Sequence, residues 1–188
     1  MKKRVGSLKH MTRVEKIKSL IKNIPDFPQK GIIFRDITSL INSDSGMTLV
    51  REEIDESVNN NNLKFNKIVA IESRGFILGA LFAYVYGRPL VLARKPGKLP
   101  GETFQIKYSL EYGENTLCIQ VSDIQKDDRV LIVDDLIATG GSAKAVRDII
   151  EILGGKVAAF YFLIELDDLK GRKLLEDSGI KIITSVHY

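Results

Sequence analysis

"VLIVDDLIATGGS", Val130–Ser142, sets four apolar residues directly against two aspartates and follows them with a small-residue turn that holds two glycines. A short Val/Leu/Ile run without polar alternation predicts a strand buried on both faces. Such strands belong to parallel sheets covered by helices, and the segment that follows, "SAKAVRDIIEILGG", has the spacing of a covering helix. The same alternation recurs around it. "KIVAI" precedes "GFILGALFAYVYG", "PLVLAR" comes next, and "KVAAFYFLI", a helical "LKGRKLLEDSG" and "IKIIT" close the chain. The pattern predicts an α/β fold: a central, mostly parallel sheet flanked by helices and joined by right-handed crossovers.

Two other regions depart from that rhythm. Between Phe104 and Val121, "FQIKYSLEYG" and "NTLCIQV" with a glycine turn between them predict an antiparallel hairpin or flap. Upstream, Thr12 and Glu15 have capping-box spacing, and Val14, Ile17, Ile21 and Ile24 share a helical face, so a helix is expected that Pro25 and Pro28 terminate. "NNNN", Asn59–Asn62, marks an exposed connection.

With 188 residues and 44% hydrophobic content, the chain is expected to form one domain over 1–188. The net charge of +4 is weak support for a nucleic-acid partner, because Lys2, Lys3, Arg4 and Lys9 account for all of it and leave 24 basic against 24 acidic residues. Residues 1–11 read as a flexible basic extension, in which Met11 is a possible alternative start. The single cysteine, Cys118, reads as a buried small hydrophobe, which fits a reducing cytoplasm. No apolar run is long enough to span a bilayer, so neither a membrane nor nucleic acid is expected as a partner.

Asp134 and Asp135 follow the apolar run, where open α/β sheets bind ligands beyond the carboxyl ends of their strands. Adjacent buried carboxylates are costly unless hydrogen bonds or cations meet them, and ligand hydroxyls could do so. "ATGGS", Ala138–Ser142, then opens a helix whose first amides are unpaired, and with the hydroxyls of Thr139 and Ser142 it forms a phosphate cradle. Alone, "TGGS" also suits an ordinary turn with Ser142 as N-cap. Acid pair and cradle together suit a sugar phosphate, and no nucleotide-triphosphate or dinucleotide glycine motif competes.

This stretch resembles the phosphoribosyl-pyrophosphate (PRPP) motif of the type I phosphoribosyltransferases. The resemblance implies that Asp134 and Asp135 meet the ribose hydroxyls, and that Ala138, Thr139, Gly140, Gly141 and Ser142 hold the 5′-phosphate. Four further segments resemble the adenine-using branch of that family. "PDFPQKGIIFRDIT" is similar to its hood (24–41), which implies that Phe34 stacks on the base, that main-chain groups around Ile33 and Arg35 read the base edge, and that Leu166 covers the opposite face. "IESRGF" is similar to its pyrophosphate loop, which assigns Glu72, Ser73 and Arg74 to pyrophosphate and implies a cis peptide between Glu72 and Ser73. "RKPGKLPGE" clusters Arg94, Lys95 and Lys98, as a solvated charged loop could also do; the resemblance implies that they serve the leaving pyrophosphate, where oriented cations lower the barrier. "YSLEYGEN" lies in a catalytic flap (97–115), in which Glu111 would handle the purine proton, Tyr112 would close the site and Tyr108 is a weaker candidate. With Arg74 and Lys98, Glu111 completes the expected catalytic set.

The resemblance further implies purine salvage, with adenine and PRPP giving AMP and pyrophosphate. It implies a homodimer, and Mg²⁺ held mainly by PRPP with no metal ligand from the protein directly. Hypoxanthine/guanine or xanthine transfer is the alternative enzyme, for which Lys170 is the only evident partner to a 6-oxo group. A PRPP-sensing transcription regulator is the alternative of another class, although few residues precede the hood. Glu72 stands where many relatives have aspartate.

Overall fold

The computed structural model describes residues 11–110 and 113–188. The expected basic extension therefore lies almost wholly outside the described residues. The chain divides into two compact units, Met1–Asn61 and Asn62–Tyr188.

In the first unit, helix α1 (Arg13–Leu20) starts on the expected capping box: Thr12 Oγ1 accepts from the Glu15 amide, and Glu15 reaches back to the Thr12 amide at 2.7 Å. Ile17 and Ile21 are buried. The helix stops earlier than the two prolines suggested. Ile21 is already extended, and Lys22–Pro25 form strand β1, which pairs antiparallel with β2 (Ile33–Asp36). Ile24 thus belongs to the sheet and is exposed. Helices α2 (Thr38–Ile41) and α3 (Gly46–Asn60) follow, and α3 buries Val50, Ile54 and Val58 on one face at a spacing of four.

The second unit is the α/β body. Five parallel strands run in the order β4 (Leu90–Ala93), β3 (Lys67–Ile71), β7 (Arg129–Ile137), β8 (Lys156–Glu165) and β9 (Lys181–His187). Alternate residues serve opposite faces. Val69, Ile71, Val130, Ile132, Phe160 and Phe162 pack with Val146, Ile149 and Ile150 of helix α5 (Gly141–Ile152). On the other face, helix α4 (Gly75–Tyr86) places Phe82 edge-on against Tyr161 at 4.9 Å. Gly79 lets α4 lie this close, since a Cβ there would come within 2.5 Å of Ala70 Cβ.

The expected hairpin is present as β5 (Thr103–Leu110) and β6 (Gly113–Gln120), paired in register. A bridge between Arg94 and Cys118 ties it to the end of β4. Cys118 is buried, and burial raises its thiol pKa, which makes it a poor nucleophile. The short helix α6 (Gly171–Glu176) lies between β8 and β9.

Candidate active site

The connection after β3 runs to β4 on one side, and the connection after β7 runs to β8 on the other. The two central neighbours thus diverge, and a crevice opens outside their carboxyl ends. Asp134 and Asp135 lie at that crevice, although not beyond the strand as expected. β7 continues to Ile137 because β8 keeps pairing with it as far as Glu165, whereas its pairing with β3 ends at Val133. The aspartates are therefore held by a strand rather than a loop, a stiffer mounting.

Both carboxylates are buried, at 9% and 3% exposure. Burial and then the charge of Asp135 raise the Asp134 pKa well above the usual carboxylate range. Burial also raises Asp135, against the pull of the Arg74 guanidinium, whose Nε lies 2.9 Å from Asp135 Oδ2. Asp134 Oδ1 accepts from the Asp135 amide at 2.8 Å. Space here is tight: a Cβ on Gly75 would sit 2.7 Å from Asp134 Oδ1, so only glycine lets α4 begin beside the acid pair.

A cis peptide joins Glu72 and Ser73. Arg74 immediately precedes α4 and is turned toward Asp135. The Glu72 carboxylate accepts from the Lys95 amide at 2.8 Å and lies 3.4 Å from Arg94 Nε, so it latches the loop after β3 to the loop after β4. Arg94 also donates to the Lys98 carbonyl and lies over the Phe76 ring. Lys95 and Lys98 are exposed. Of this cluster, Glu72 and Arg94 contact one another and the adjoining loop backbone, while the two lysines face solvent.

After β7, Gly140 takes a left-handed φ of +80° and starts α5 without any side-chain cap. Ser142 is inside the helix and is not its N-cap, so the first-turn amides have no side-chain partner of that kind. Gly140 and Gly171 approach so closely that a Cβ on Gly140 would fall 2.6 Å from the Gly171 carbonyl. Leu166 follows β8, and its amide donates to the Ile137 carbonyl at 3.0 Å, beside the turn at Ala138 and Thr139.

In the hairpin, Tyr108 is partly buried among residues packed on the core, and a cavity of about 230 Å³ lies between it, Lys107, Gly141 and Lys144. Burial, followed by the Asp134 charge, raises the Tyr108 pKa. Glu111 and Tyr112 lie outside the described residues. In the first unit, Ile33, Phe34 and Arg35 form most of β2, where Phe34 meets Phe27 edge-on at 5.1 Å, Ile33 is half exposed, and Arg35 donates to Asn23 at 2.6 Å.

Sequence reasoning missed Gly75, Gly171 and the Arg172–Glu165 pair. Each glycine marks a close backbone approach, a signal visible as Gly at a helix start in "SRGF" and "LKGR". The ion pair joins residues on separate elements and left no periodic trace.

A divergent parallel sheet with a buried acid pair and an uncapped glycine turn at its crevice defines an α/β protein of the phosphoribosyltransferase class. The family model for the phosphoribosyl transferase domain matches residues 41–187, and the chain belongs to the phosphoribosyltransferase family. Adenine phosphoribosyltransferase of Prosthecochloris aestuarii is 44% identical over 172 residues, 92% of this chain and 97% of that protein. The crystal structure of adenine phosphoribosyltransferase from Thermoanaerobacter pseudethanolicus superposes with a TM-score of 0.88 at 43% identity, covering 93% of this chain and 99% of that one. The Saccharomyces cerevisiae enzyme, solved with adenine and an imino-altritol bisphosphate, gives 0.85 at 35% identity, covering 93% and 98%.

Proposed function

We infer that the chain is an adenine phosphoribosyltransferase of purine salvage, converting adenine and PRPP to AMP and pyrophosphate. The observation that carries this reading is the acid pair of β7 leading into the Gly140 turn at the divergence of β3 and β7. Relatives of matching length share the activity in name.

In the proposed mechanism, the amides of Thr139–Ser142 and the positive end of α5 hold the 5′-phosphate. Asp134 and Asp135 accept from the ribose hydroxyls, which supplies the hydrogen bonds that burial denies them. The backbone of the Glu72–Arg74 loop, with Arg74, Lys95 and Lys98, receives the pyrophosphate, and Arg94 and Glu72 keep that loop in place. The C1′–oxygen bond to pyrophosphate breaks as purine N9 bonds to C1′, and the N9 proton passes to Glu111. Phe34 and Leu166 sandwich the adenine, Ile33 and Arg35 read its edge through their backbones, and Tyr108 and Tyr112 exclude water from the oxocarbenium-like sugar.

Mg²⁺ is the proposed cofactor, held mainly by PRPP. The acid pair fits it as a charge partner near the ribose, and when bound it neutralises the leaving pyrophosphate. The proposed assembly is a homodimer. Its support is α4, which is apolar on all sides yet exposes Ile77 and Tyr84 at 37% and 87% on its outer face. The proposed compartment is the cytoplasm; among the described residues no helix is long and apolar enough to cross a membrane.

The test is a PRPP- and Mg²⁺-dependent assay across adenine, hypoxanthine, guanine and xanthine. Adenine is expected to be the preferred base, and absence of AMP formation would end this reading. Glu111→Ala should lower kcat by about 100-fold or more while leaving PRPP affinity nearly intact; wild-type turnover would remove Glu111 from the mechanism.

A further inference from the structure

We propose that Arg172 and Glu165 form a positioning pair that presses the start of α6 against the glycine turn and so sets affinity for the 5′-phosphate without touching substrate. This rests on the function proposed above. Glu165, the last residue of β8, is buried at 6% exposure. Arg172 Nε donates to its Oε1 at 2.9 Å, and the same guanidinium donates to Thr184 Oγ1 at 2.8 Å and to the Ile182 carbonyl at 3.2 Å. One side chain of α6 is thereby bolted to the end of β8 and to Ile182 and Thr184 within β9.

The neighbour of Arg172 is Gly171, and there the contact with the turn is made. A Cβ on Gly171 would fall 2.2 Å from the Ala138 carbonyl oxygen and 2.8 Å from the Gly140 amide. The backbone of α6 is thus the wall behind Ala138–Gly140. A turn that presents amides to a phosphate must not drift, because hydrogen bonds weaken steeply with distance and angle. Leu175, buried in the core, anchors the far end of α6, and the ion pair of Arg172 fixes the end beside Gly171.

The same neighbourhood has an alternative reading as a metal site, since Glu165, Asp167 and His187 each offer a ligand atom and these lie within 4.8 Å of one another. Arg172 already occupies the Glu165 carboxylate, and His187 Nδ1 meets Asp167 Oδ1 at 2.9 Å. Burial opposes the charge of Glu165, but hydrogen bonds from Arg172 and Thr184 outweigh it and hold the carboxyl below its usual range. The cluster is a fastener.

The experiment uses the full chain carrying Arg172→Lys, the double change Arg172→Met with Glu165→Met, and Gly171→Ala. The double change replaces the pair by apolar groups of similar length, which buried ion pairs commonly tolerate. Titration calorimetry would measure ribose 5-phosphate and adenine separately, beside kcat and the PRPP KM. Ribose 5-phosphate affinity should fall and the PRPP KM rise by about tenfold in the double variant, more in Gly171→Ala and less in Arg172→Lys. Adenine affinity and kcat should stay within about threefold. Unchanged ribose 5-phosphate affinity in folded variants, or an equal loss for adenine, would overturn the positioning role. Should the double variant fail to fold, Gly171→Ala and Arg172→Lys decide by the same readout. Ribose 5-phosphate reports on the turn even if wild type makes no AMP, so failure of the enzymatic reading is seen separately.

Discussion

Acidic groups just before β7 and within its second half are governed by opposite balances. Asp128, one residue before the strand, lies 2.6 Å from Lys67 Nζ and accepts from the Gln125 amide at 2.7 Å and from the Asn66 side chain at 3.2 Å. Burial opposes its charge, yet Lys67 and those donors prevail and hold its pKa below the usual value. Further along the strand, burial and Asp135 drive Asp134 the other way. The two sites differ in what the chain itself supplies. A carboxylate fully provided for by its neighbours is finished structure; one buried without equal compensation is suited to donors that arrive with a ligand. The sheet thus keeps a structural edge and a functional edge on the same strand.

The comparison breaks most easily at the structural edge. Asp128→Ala leaves the Lys67 ammonium, only 12% exposed, without its carboxylate though still donating to the Asp123 carbonyl, and should destabilise the protein by about 3 kcal/mol in urea unfolding, with kcat at 25 °C held within about twofold. A variant with wild-type stability would show that the Lys67 pair is dispensable. At the functional edge the pattern should invert. Asp134→Asn keeps an oxygen for the Asp135 amide but removes the charge, so thermal stability should hold or rise while kcat/KM for PRPP falls about 100-fold, near 3 kcal/mol. A loss of stability there with undiminished activity would erase the distinction.

The functional edge was also the more legible of the two in sequence, for a physical reason. β3, β7 and β8 are buried on both faces and therefore lack polar alternation, which made "KIVAI", "VLIV" and "KVAAFYFLI" readable as central strands. The same reading passed over α3, where Glu52, Glu53, Asp55 and Glu56 surround Val50, Ile54 and Val58 and dilute the apolar stripe. It ended β7 at Val133 because charge usually closes a strand, whereas β8 carries the ladder onward to Ile137. It extended α1 toward Pro25, missing that residues 22–25 gain hydrogen bonds by pairing with β2. The glycine turn and acid pair were visible because local chemistry demands those residue types. The Lys67–Asp128 and Arg172–Glu165 pairs were not, because charged residues distant in sequence carry no mark of their partner.

The smallest expected effect is a pH dependence of stability whose sign differs between the two edges. Asp128 has a folded pKa depressed below its unfolded value near 3.9, so its contribution is present above that value and lost as pH falls through the folded pKa. Asp134 has a raised folded pKa, so its contribution is fully present below about pH 3.9 and is lost as pH rises through the folded value. Urea unfolding of the ligand-free protein between pH 2 and pH 8 should therefore show two slopes of opposite sign. Asp128→Asn should reduce the acid slope, to which Glu165 also contributes, and Asp134→Asn should reduce the other, to which Asp135 also contributes. Ribose 5-phosphate should erase the second slope by supplying hydroxyl donors that favour the ionised acid, with release of protons detectable by calorimetry in buffers of different ionisation enthalpy. Proton uptake on binding, or a second slope left at its full size in Asp134→Asn, would mean that the raised acid of the pair is not the one that meets the ribose.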